Sequence, residues 1–582
     1  MEWHALERSR KAVMQGVRME RPFAGALDLR TGPNMACVSA SLAPPRPTNV
    51  CLQPHRQYLL LSMGLCISTT SRRPSQSTAR IGQSAICGGG CQLLRYASLS
   101  CYAYWLVSNM DHSRHTASIH VLDDDSLLHV FYLYRPFLGD KYSIKDWIYN
   151  GRWWYALSHV CRRWRNIILG SATYLGLSLL CTYGTPIADI LAYSLPFPLV
   201  IGYFRKDREL TPADEEGIIL ALKQRDRVRR VRLYSASTIL QKLIMAMDEE
   251  YPILEYLYIT PQPDDNSIIL RFPGTIQAPH LRHLDLQGFT VPIGSPLLTT
   301  AVGLVTLRLV MVHPSTYFHP NTLLHWISLM PHLETLKILF ELSIPNRDVE
   351  RQLIHTPIMV PITLPNLHHF HFRGVSSYLE AVVHRITTPR LENLQINFFN
   401  QLSFSVPRLL QFIIAAENFR LGNVLLVFSG KSVGVVVYPY GVSIGPANVF
   451  ALDILVKCCH LDWQASSMAQ ISNSLTQIFY AVEHLQLHHD AYSESSEEHN
   501  DVDRTEWRKL LRPFSNLKTL RIHRGLVKDL SRCLELEDGE LPLELLPELQ
   551  EITFYGSGDT GDGLTSFINT RRNEGRPVTL VR

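Results

Sequence analysis

An eight-residue string, Pro-x-Leu-x-x-Leu-x-Ile, returns repeatedly between Arg227 and the C-terminus of this 582-residue chain, and few folds accept such a sequence. It reads Pro252-Ile-Leu254-Glu-Tyr-Leu257-Tyr-Ile259, then Pro279-His-Leu281-Arg-His-Leu284-Asp-Leu286 and Pro331-His-Leu333-Glu-Thr-Leu336-Lys-Ile338. Pro365-Asn-Leu367-His-His-Phe370-His-Phe372, Pro389-Arg-Leu391-Glu-Asn-Leu394-Gln-Ile396 and Pro547-Glu-Leu549-Gln-Glu-Ile552-Thr-Phe554 continue it. Versions without the proline fall at Val228/Val231/Leu233, Leu304/Leu307/Leu309, Val482/Leu485/Leu487 and Leu517/Leu520/Ile522. Neighbouring copies mostly stand about 23 to 35 residues apart, a period that belongs to stacked repeats. No clean copy occurs between Ile396 and Val482; the strand-like runs Val424–Phe428 and Val433–Tyr438 are read as an irregular unit or hairpin bridging the gap.

In each copy the last two apolar residues are two apart, so they share one face of a short strand. A single copy cannot bury them. Neighbouring copies must stack, their strands pairing into a curved parallel sheet while the intervening helical stretches pack behind. The residues flanking the last apolar pair then occupy the opposite face. They are Tyr256 and Tyr258, His283 and Asp285, Thr306 and Arg308, and Thr335 and Lys337. His369 and His371, Asn393 and Gln395, His484 and Gln486, and Thr519 and Arg521 continue the row. It is polar, aromatic and different from copy to copy, as a surface that recognises a specific partner is; the alternative is a solvated face with no partner.

Upstream of the repeats lies a helical texture with bulky apolar positions. Asp123, Asp124 and Asp125 predict a helix start, because carboxylates cap orphan amides and oppose the helix dipole. Leu127, Leu128, Val130, Phe131 and Leu133 follow at roughly helical spacing. After a polar insertion around Gly139, Asp140 and Lys141 the pattern resumes at Trp153-Trp154-Tyr155, with Leu157, Val160, Cys161 and Trp164 as the next apolar stripe. Residues 1–115 differ: rich in Arg, Ser, Pro and Cys and without periodicity, they read as a poorly ordered extension. The chain thus divides into that extension, a helical module over 116–182 and the repeat array over 183–582.

Composition narrows the function classes. A hydrophobic fraction of 46% supplies a large core, and a formal net charge of +4 argues against a dedicated nucleic-acid binder. The 11 cysteines form no Cys-x-x-Cys pair and no Asn-x-Ser/Thr site occurs, which fits a cytoplasmic or nuclear setting. Tyr58–Ile67 is too short to span a membrane, and Tyr174–Tyr203 carries Asp189 and is broken by Pro186, Pro196 and Pro198, so no membrane partner is expected. Cys87, Cys91 and Cys101 lack zinc-site spacing, and the histidines near 368–371 and 484–489 lack convergent support, so no metal is expected. The acidic, Ser-rich run Ser493–Asp501 reads as a flexible loop.

Gly556-Ser-Gly558-Asp-Thr-Gly561 follows an apparent strand, as in a dinucleotide site, yet Asp559 and Asp562 would meet the pyrophosphate and little chain follows. It is read as the last repeat with its cap. No nucleotide-binding or hydrolase motif is found elsewhere, so neither catalysis nor a cofactor is expected.

Taken together, Val121-Leu-Asp-Asp-Asp-Ser-Leu-Leu-His-Val-Phe131, Ala156-Leu-Ser-His-Val-Cys-Arg-Arg-Trp-Arg-Asn166 and the repeats resemble the F-box family. More narrowly, they are similar to F-box proteins with degenerate leucine-rich repeats found in mushroom-forming fungi. Leu157, Val160, Cys161 and Trp164 match the family's Leu-x-x-Val-Cys-x-x-Trp segment position by position. Asp123 stands where the family usually has proline, and an insertion of about 15 residues separates the two halves. The resemblance implies an α/β chain: a small all-α F-box module followed by an irregular leucine-rich-repeat solenoid with a curved parallel sheet. It further implies docking on the Skp-type adaptor of a cullin–RING ligase through Leu122, Leu127, Leu128, Phe131, Leu157, Val160 and Trp164, with a protein substrate held on the repeats. The face residues that would contact the substrate are Tyr256, Tyr258, His283, Asp285, Arg308, Lys337, His369, His371, Asn393, Gln395 and Arg521. A second reading, a repeat scaffold with no ligase connection, makes the helical module a cap with the Phe131/Trp164 region buried in the fold.

Overall fold

Each proline of the recurring string sits at the second position of a tight turn that launches a strand. In the computed structural model the first leucine of the copy closes that turn, its amide donating to the carbonyl three residues back. Leu254 donates to Tyr251, Leu281 to Ala278, Leu333 to Met330, Leu367 to Leu364, Leu391 to Thr388 and Leu549 to Leu546. Proline presets φ near −65° at that position and needs no amide partner there, so the string encodes the turn as well as the strand. Three of the four proline-free copies close the same turn, Leu304 on Ala301, Val482 on Phe479 and Leu517 on Phe514.

The structure describes residues 122–135 and 152–581, apart from 205–207, 263–269, 293, 313–317, 342–360, 400, 402, 417–421, 430, 439–450, 459–460, 491–503, 536–542 and 557–562. The readings of residues 1–115, of Tyr58–Ile67, of the insertion at Gly139–Lys141 and of the Ser493–Asp501 loop lie outside the described residues, as do Gly558 and Gly561. All described residues belong to one compact unit, Thr116–Arg582.

The chain is mixed α/β, built on a large and mostly parallel sheet. Its strands are β1 (Leu179–Cys181), β2 (Leu199–Tyr203), β3 (Val228–Ser235), β4 (Tyr256–Pro261), β6 (His283–Gln287), β8 (Thr306–Val312) and β9 (Thr335–Phe340). They continue through β11 (His369–Gly374), β13 (Asn393–Phe398), β14 (Asn423–Ser429), β15 (Ser432–Tyr438), β16 (Leu452–Val456), β17 (His484–Asp490), β18 (Thr519–His523), β19 (Glu551–Tyr555) and β20 (Thr579–Val581). Two small pairs, β5 (Leu270–Arg271) with β7 (Phe289–Thr290) and β10 (Ile362–Thr363) with β12 (Ile386–Thr387), stand apart from it. Spatial order follows chain order except in one place, where the order runs β13-β16-β15-β14-β17. The runs at 424–438 are indeed a hairpin, and β15 is the one strand of this sheet that pairs antiparallel on both sides. The sheet opens at Leu179, inside the stretch read from sequence as the helical module, and two strands before the first recognisable string.

The inward pairs form continuous ladders. Leu257, Leu284, Leu307, Leu336, Phe370, Leu394 and Leu452 lie in one register row across seven strands, all at most 1% exposed. Helices between strands cover that row with residues at helical spacing, such as Leu323, Leu324 and Ile327 of the helix Pro320–Ser328 and Leu379, Val382 and Val383 of Ser376–Val383. The Tyr174–Tyr203 run, apolar enough to suggest a membrane span, folds instead as strand, helix and strand, and no helix among the described residues is long and apolar enough to cross a membrane.

Before the sheet come α1 (Asp124–Tyr134), α2 (Trp153–Ser158) and α3 (Arg162–Gly170). Asp123 caps α1 by accepting from the Ser126 amide at 2.7 Å, and Cys161 caps α3 through its sulfur. Phe131 of α1 meets Trp164 of α3 edge-on, with ring centroids 4.9 Å apart. Arg163 fixes the start of α1 by donating to Asp124 and to the Leu122 carbonyl.

Candidate functional site

The strand period of two leaves alternate residues on the face opposite the buried ladders, and the parallel register aligns them into rows. One row reads Arg232, Tyr258, Asp285, Arg308, Lys337, His371, Gln395 and Asp453 from β3 to β16. The row beside it reads Arg230, Tyr256, His283, Thr306, Thr335, His369 and Asn393. Arg308 and His369 are exposed; the others named from sequence, Tyr256, Tyr258, His283, Asp285, Lys337, His371, Asn393, Gln395 and Arg521, are half-buried. All of them therefore lie on one sheet face, flanked along each strand by buried apolar neighbours.

Charge is unevenly distributed over that face. At its centre Arg308, Lys337 and His371 occupy three adjacent strands, and Arg373 stands two residues beyond His371. Among the described residues the carboxylate that pairs with this group is Asp285, 3.5 Å from Arg308. Lys337 and Arg373 make no ion pair with any described residue. Burial together with Lys337, Arg373 and Arg308 pushes the His371 imidazole down to about 4, so it is neutral at physiological pH. Burial and the Arg308 and Arg373 guanidiniums likewise lower Lys337, with Asp285 opposing them. Burial outweighs Arg308 and Lys337 at Asp285, whose carboxyl is raised. The centre of the face thus carries more cationic than anionic groups.

Two aromatic groupings border it. Toward β3, the Arg232 guanidinium lies 4.1 Å from the Phe204 ring centroid and 4.8 Å from that of Tyr258. Toward the C-terminal edge, the Tyr555 hydroxyl donates to the Leu487 carbonyl and accepts from Gln486, both at 3.0 Å. Arg521 covers the Tyr555 ring at 4.8 Å.

Across the hairpin the same face turns aliphatic. Leu425, Val436 and Asp453 share one row, while Val427, Gly434 and Leu455 share the next. Gly434 makes room there, for the Leu455 side chain comes within 3.1 Å of where a Cβ would stand. Asp453, with its carboxyl raised to about 6 by burial, sits at the border between the charged and aliphatic areas.

Arg232, Arg373, Asp453 and the four aliphatic residues were not among the positions picked from sequence. Arg232 flanks Val231 and Leu233, and Arg373 continues the alternation of the fourth proline-led string, so both carried a readable signal. The aliphatic residues did not, because nothing local distinguishes the two faces of a strand that is apolar on both.

In the helical module, Leu127 and Phe131 are buried in the chain's own core, at 0% and 1% exposure. Leu128, Leu157 and Trp164 are half-buried against it. Leu122 and Val160 are exposed, and Val130, Leu133 and Tyr134 join them on the surface.

Among the described residues no group of three His, Cys, Asp or Glu side chains converges as metal ligands would. His369 and His371 lie on one strand, outward, and His488 reaches the Tyr555 hydroxyl at 3.1 Å. Gly556, first glycine of the Gly-x-Gly string, adopts φ +84°, and the His523 ring occupies the space a Cβ would need. Local packing therefore accounts for that glycine without a nucleotide.

No model of a known protein family matches the chain, and no curated protein matches it in sequence.

Proposed function

We propose that this chain is a substrate-recruiting adaptor of a Skp–cullin–F-box type ubiquitin ligase. Its helical module would dock the Skp-type adaptor and its leucine-rich-repeat solenoid would hold a protein substrate. The observation that carries the reading is the Leu157-x-x-Val160-Cys161-x-x-Trp164 segment, which forms a helix–cap–helix unit ahead of the sheet, with only the short helix Ala172–Leu175 between them. The exposed Leu122 and Val160, with Val130 and Leu133, supply apolar side chains free to enter a partner. Such a protein performs no chemistry itself. It raises the effective concentration of a substrate lysine near an activated thioester on another subunit.

Burial of Phe131 against Trp164 favours a second reading, in which the module only caps a free-standing repeat scaffold. A pull-down of the full chain with a purified Skp-type adaptor separates the two. The ligase reading expects capture by the wild type and loss of capture in Leu122→Asp/Val160→Asp, with an unchanged circular dichroism spectrum because both side chains are exposed. Absence of capture by folded wild-type protein leaves the scaffold reading.

A further inference from the structure

We infer that the open face of the sheet binds an extended protein segment carrying a cluster of carboxylates at one end and an aliphatic anchor about six residues away. The inference rests on reading that face as the partner-binding surface. It goes further by naming the chemistry of the partner and the order of its residues.

The first argument is charge complementarity. Lys337 and Arg373 have no ion pair among the described residues, and together with Arg308 they face a single carboxylate, Asp285. Holding unpaired cations on a half-buried surface costs free energy unless a partner anion completes them. His371, neutral between them, can offer a further hydrogen bond without adding repulsion. Two or three carboxylates laid over β8, β9 and β11 would meet these groups.

The second argument is the aliphatic area on the same face. Leu425 and Val427 of β14, Val436 of β15 and Leu455 of β16 form an aliphatic patch, bordered by Asp453 and, two residues beyond Leu455, by Lys457. Apolar side chains on the open side of a sheet are what a partner anchor buries. Strands lie ~4.8 Å apart, so the four steps from β9 to β15 amount to ~19 Å, which an extended chain covers in about six residues at ~3.3 Å each. Asp453 fixes the order. A segment carrying its carboxylates over β16 would set like charges together, whereas one carrying them over β9 avoids this.

The same features disfavour a nucleic acid. Asp285 and Asp453 lie in the row that a phosphate backbone would have to follow, and Leu425, Val427, Val436 and Leu455 themselves give it nothing to bind.

The test is a selection from a random library of sixteen-residue peptides on the purified full chain, followed by fluorescence anisotropy with the most enriched peptide. The expected result is a Glu/Asp cluster separated by five to seven residues from Leu, Ile, Val or Phe. Binding should weaken about tenfold or more in Lys337→Glu/Arg373→Glu, and less in Lys337→Met/Arg373→Met. Leu425→Ser/Val436→Ser should weaken it as well, while Arg512→Glu, which alters a distant exposed arginine, should not. Thermal melts of each variant identify any that fail to fold. Failure to enrich peptides, enrichment without acidic residues, equal binding to the folded charge-reversed variant, or tighter binding of a twelve-nucleotide RNA would each overturn the inference. Capture of the Skp-type adaptor is measured on the same variants. Absence of peptide enrichment on a wild-type chain that captures the adaptor sinks this inference alone, and enrichment of the expected peptide without adaptor capture by the wild type sinks the ligase reading alone.

Discussion

Two stretches of the one sheet, β9 to β13 and β14 to β17, bury their inner rows equally well but are organised by different means. In the first, each sheet strand is started by its own proline turn, and β11 and β13 are followed by the helices Ser376–Val383 and Pro407–Ile414, so every ladder position is set by a local string. In the second, a hairpin reverses the chain, β16 rather than β14 joins β13, and among the described residues no proline turn marks where a strand begins. Few, large and individually placed side chains take over. Trp507 stacks on Phe428 with centroids 5.2 Å apart, and Gln464 ties the hairpin end to the helix Leu461–Ser474. The lesson is that a repeat tolerates an interruption when the inserted strands reproduce the inner apolar row, while their outer row is free to change character, here from cationic to aliphatic.

The largest effect that would test this difference is expected from Trp507→Ala. Trp507 is fully buried, and truncating such a side chain costs about 3–5 kcal/mol. Denaturant titration measures the loss, and hydrogen exchange locates it. Amides of β14, β15 and β17 should exchange faster, while those of β9 to β13 keep their relative protection. Equal loss across both stretches would mean that they are one cooperative unit and that the contrast is only one of topology.

A smaller effect is expected from Gln464→Ala. The buried Gln464 amide donates to the carbonyls of Ser429, at 2.6 Å, and Cys458, at 3.0 Å. Leaving those acceptors unpaired costs about 1–3 kcal/mol, with faster exchange confined to the Ser429–Ser432 hairpin end. A neutral substitution would show that the hairpin is held by its apolar row alone, as the regular strands are.

How much could be read from sequence follows the same division. The strands β3, β4, β6, β8, β9, β11, β13 and β17 to β19 were legible because alternation and inner pair, and in most copies the turn, lie within eight residues. The outward positions of Lys337, His371 and Gln395 came with them. Arg373 was passed over because the string ends at Phe372 while the strand runs on to Gly374. Which strand neighbours which around the hairpin is a matter of contacts distant in sequence, and no local pattern encodes it. The same holds for β1 and β2, which pair with the array although neither carries the leucine spacing. In the helical module the apolar stripes were readable, but their division into buried Leu127 and Phe131 and exposed Leu122 and Val160 depends on how α1 packs against α3.

The subtlest expected effect lies where the two stretches meet, at Asp453. Its register neighbours are Gln395 on β13 and Val436 on β15, with Tyr438 nearby, and no cation compensates its burial. Burial raises its carboxyl from the ordinary 3.8 to about 6. An acid whose folded value is raised resists ionisation in the folded state. The cost is therefore absent below about pH 4, grows between pH 4 and 6, and is complete above pH 6. Asp453→Asn removes the ionisable proton while keeping the shape, so the variant should be more stable than wild type by about 1–2 kcal/mol at pH 7.5 and equal to it near pH 4. Paired denaturation curves at the two pH values test this. Stabilisation that persists unchanged at pH 4 would point to the hydrogen-bonding of the amide rather than to charge. A loss of stability at pH 7.5 would mean that the carboxylate is satisfied in the fold. The border between cationic and aliphatic areas would then lack the repulsion that orders the proposed segment, and its carboxylates could lie over β16 as readily as over β9.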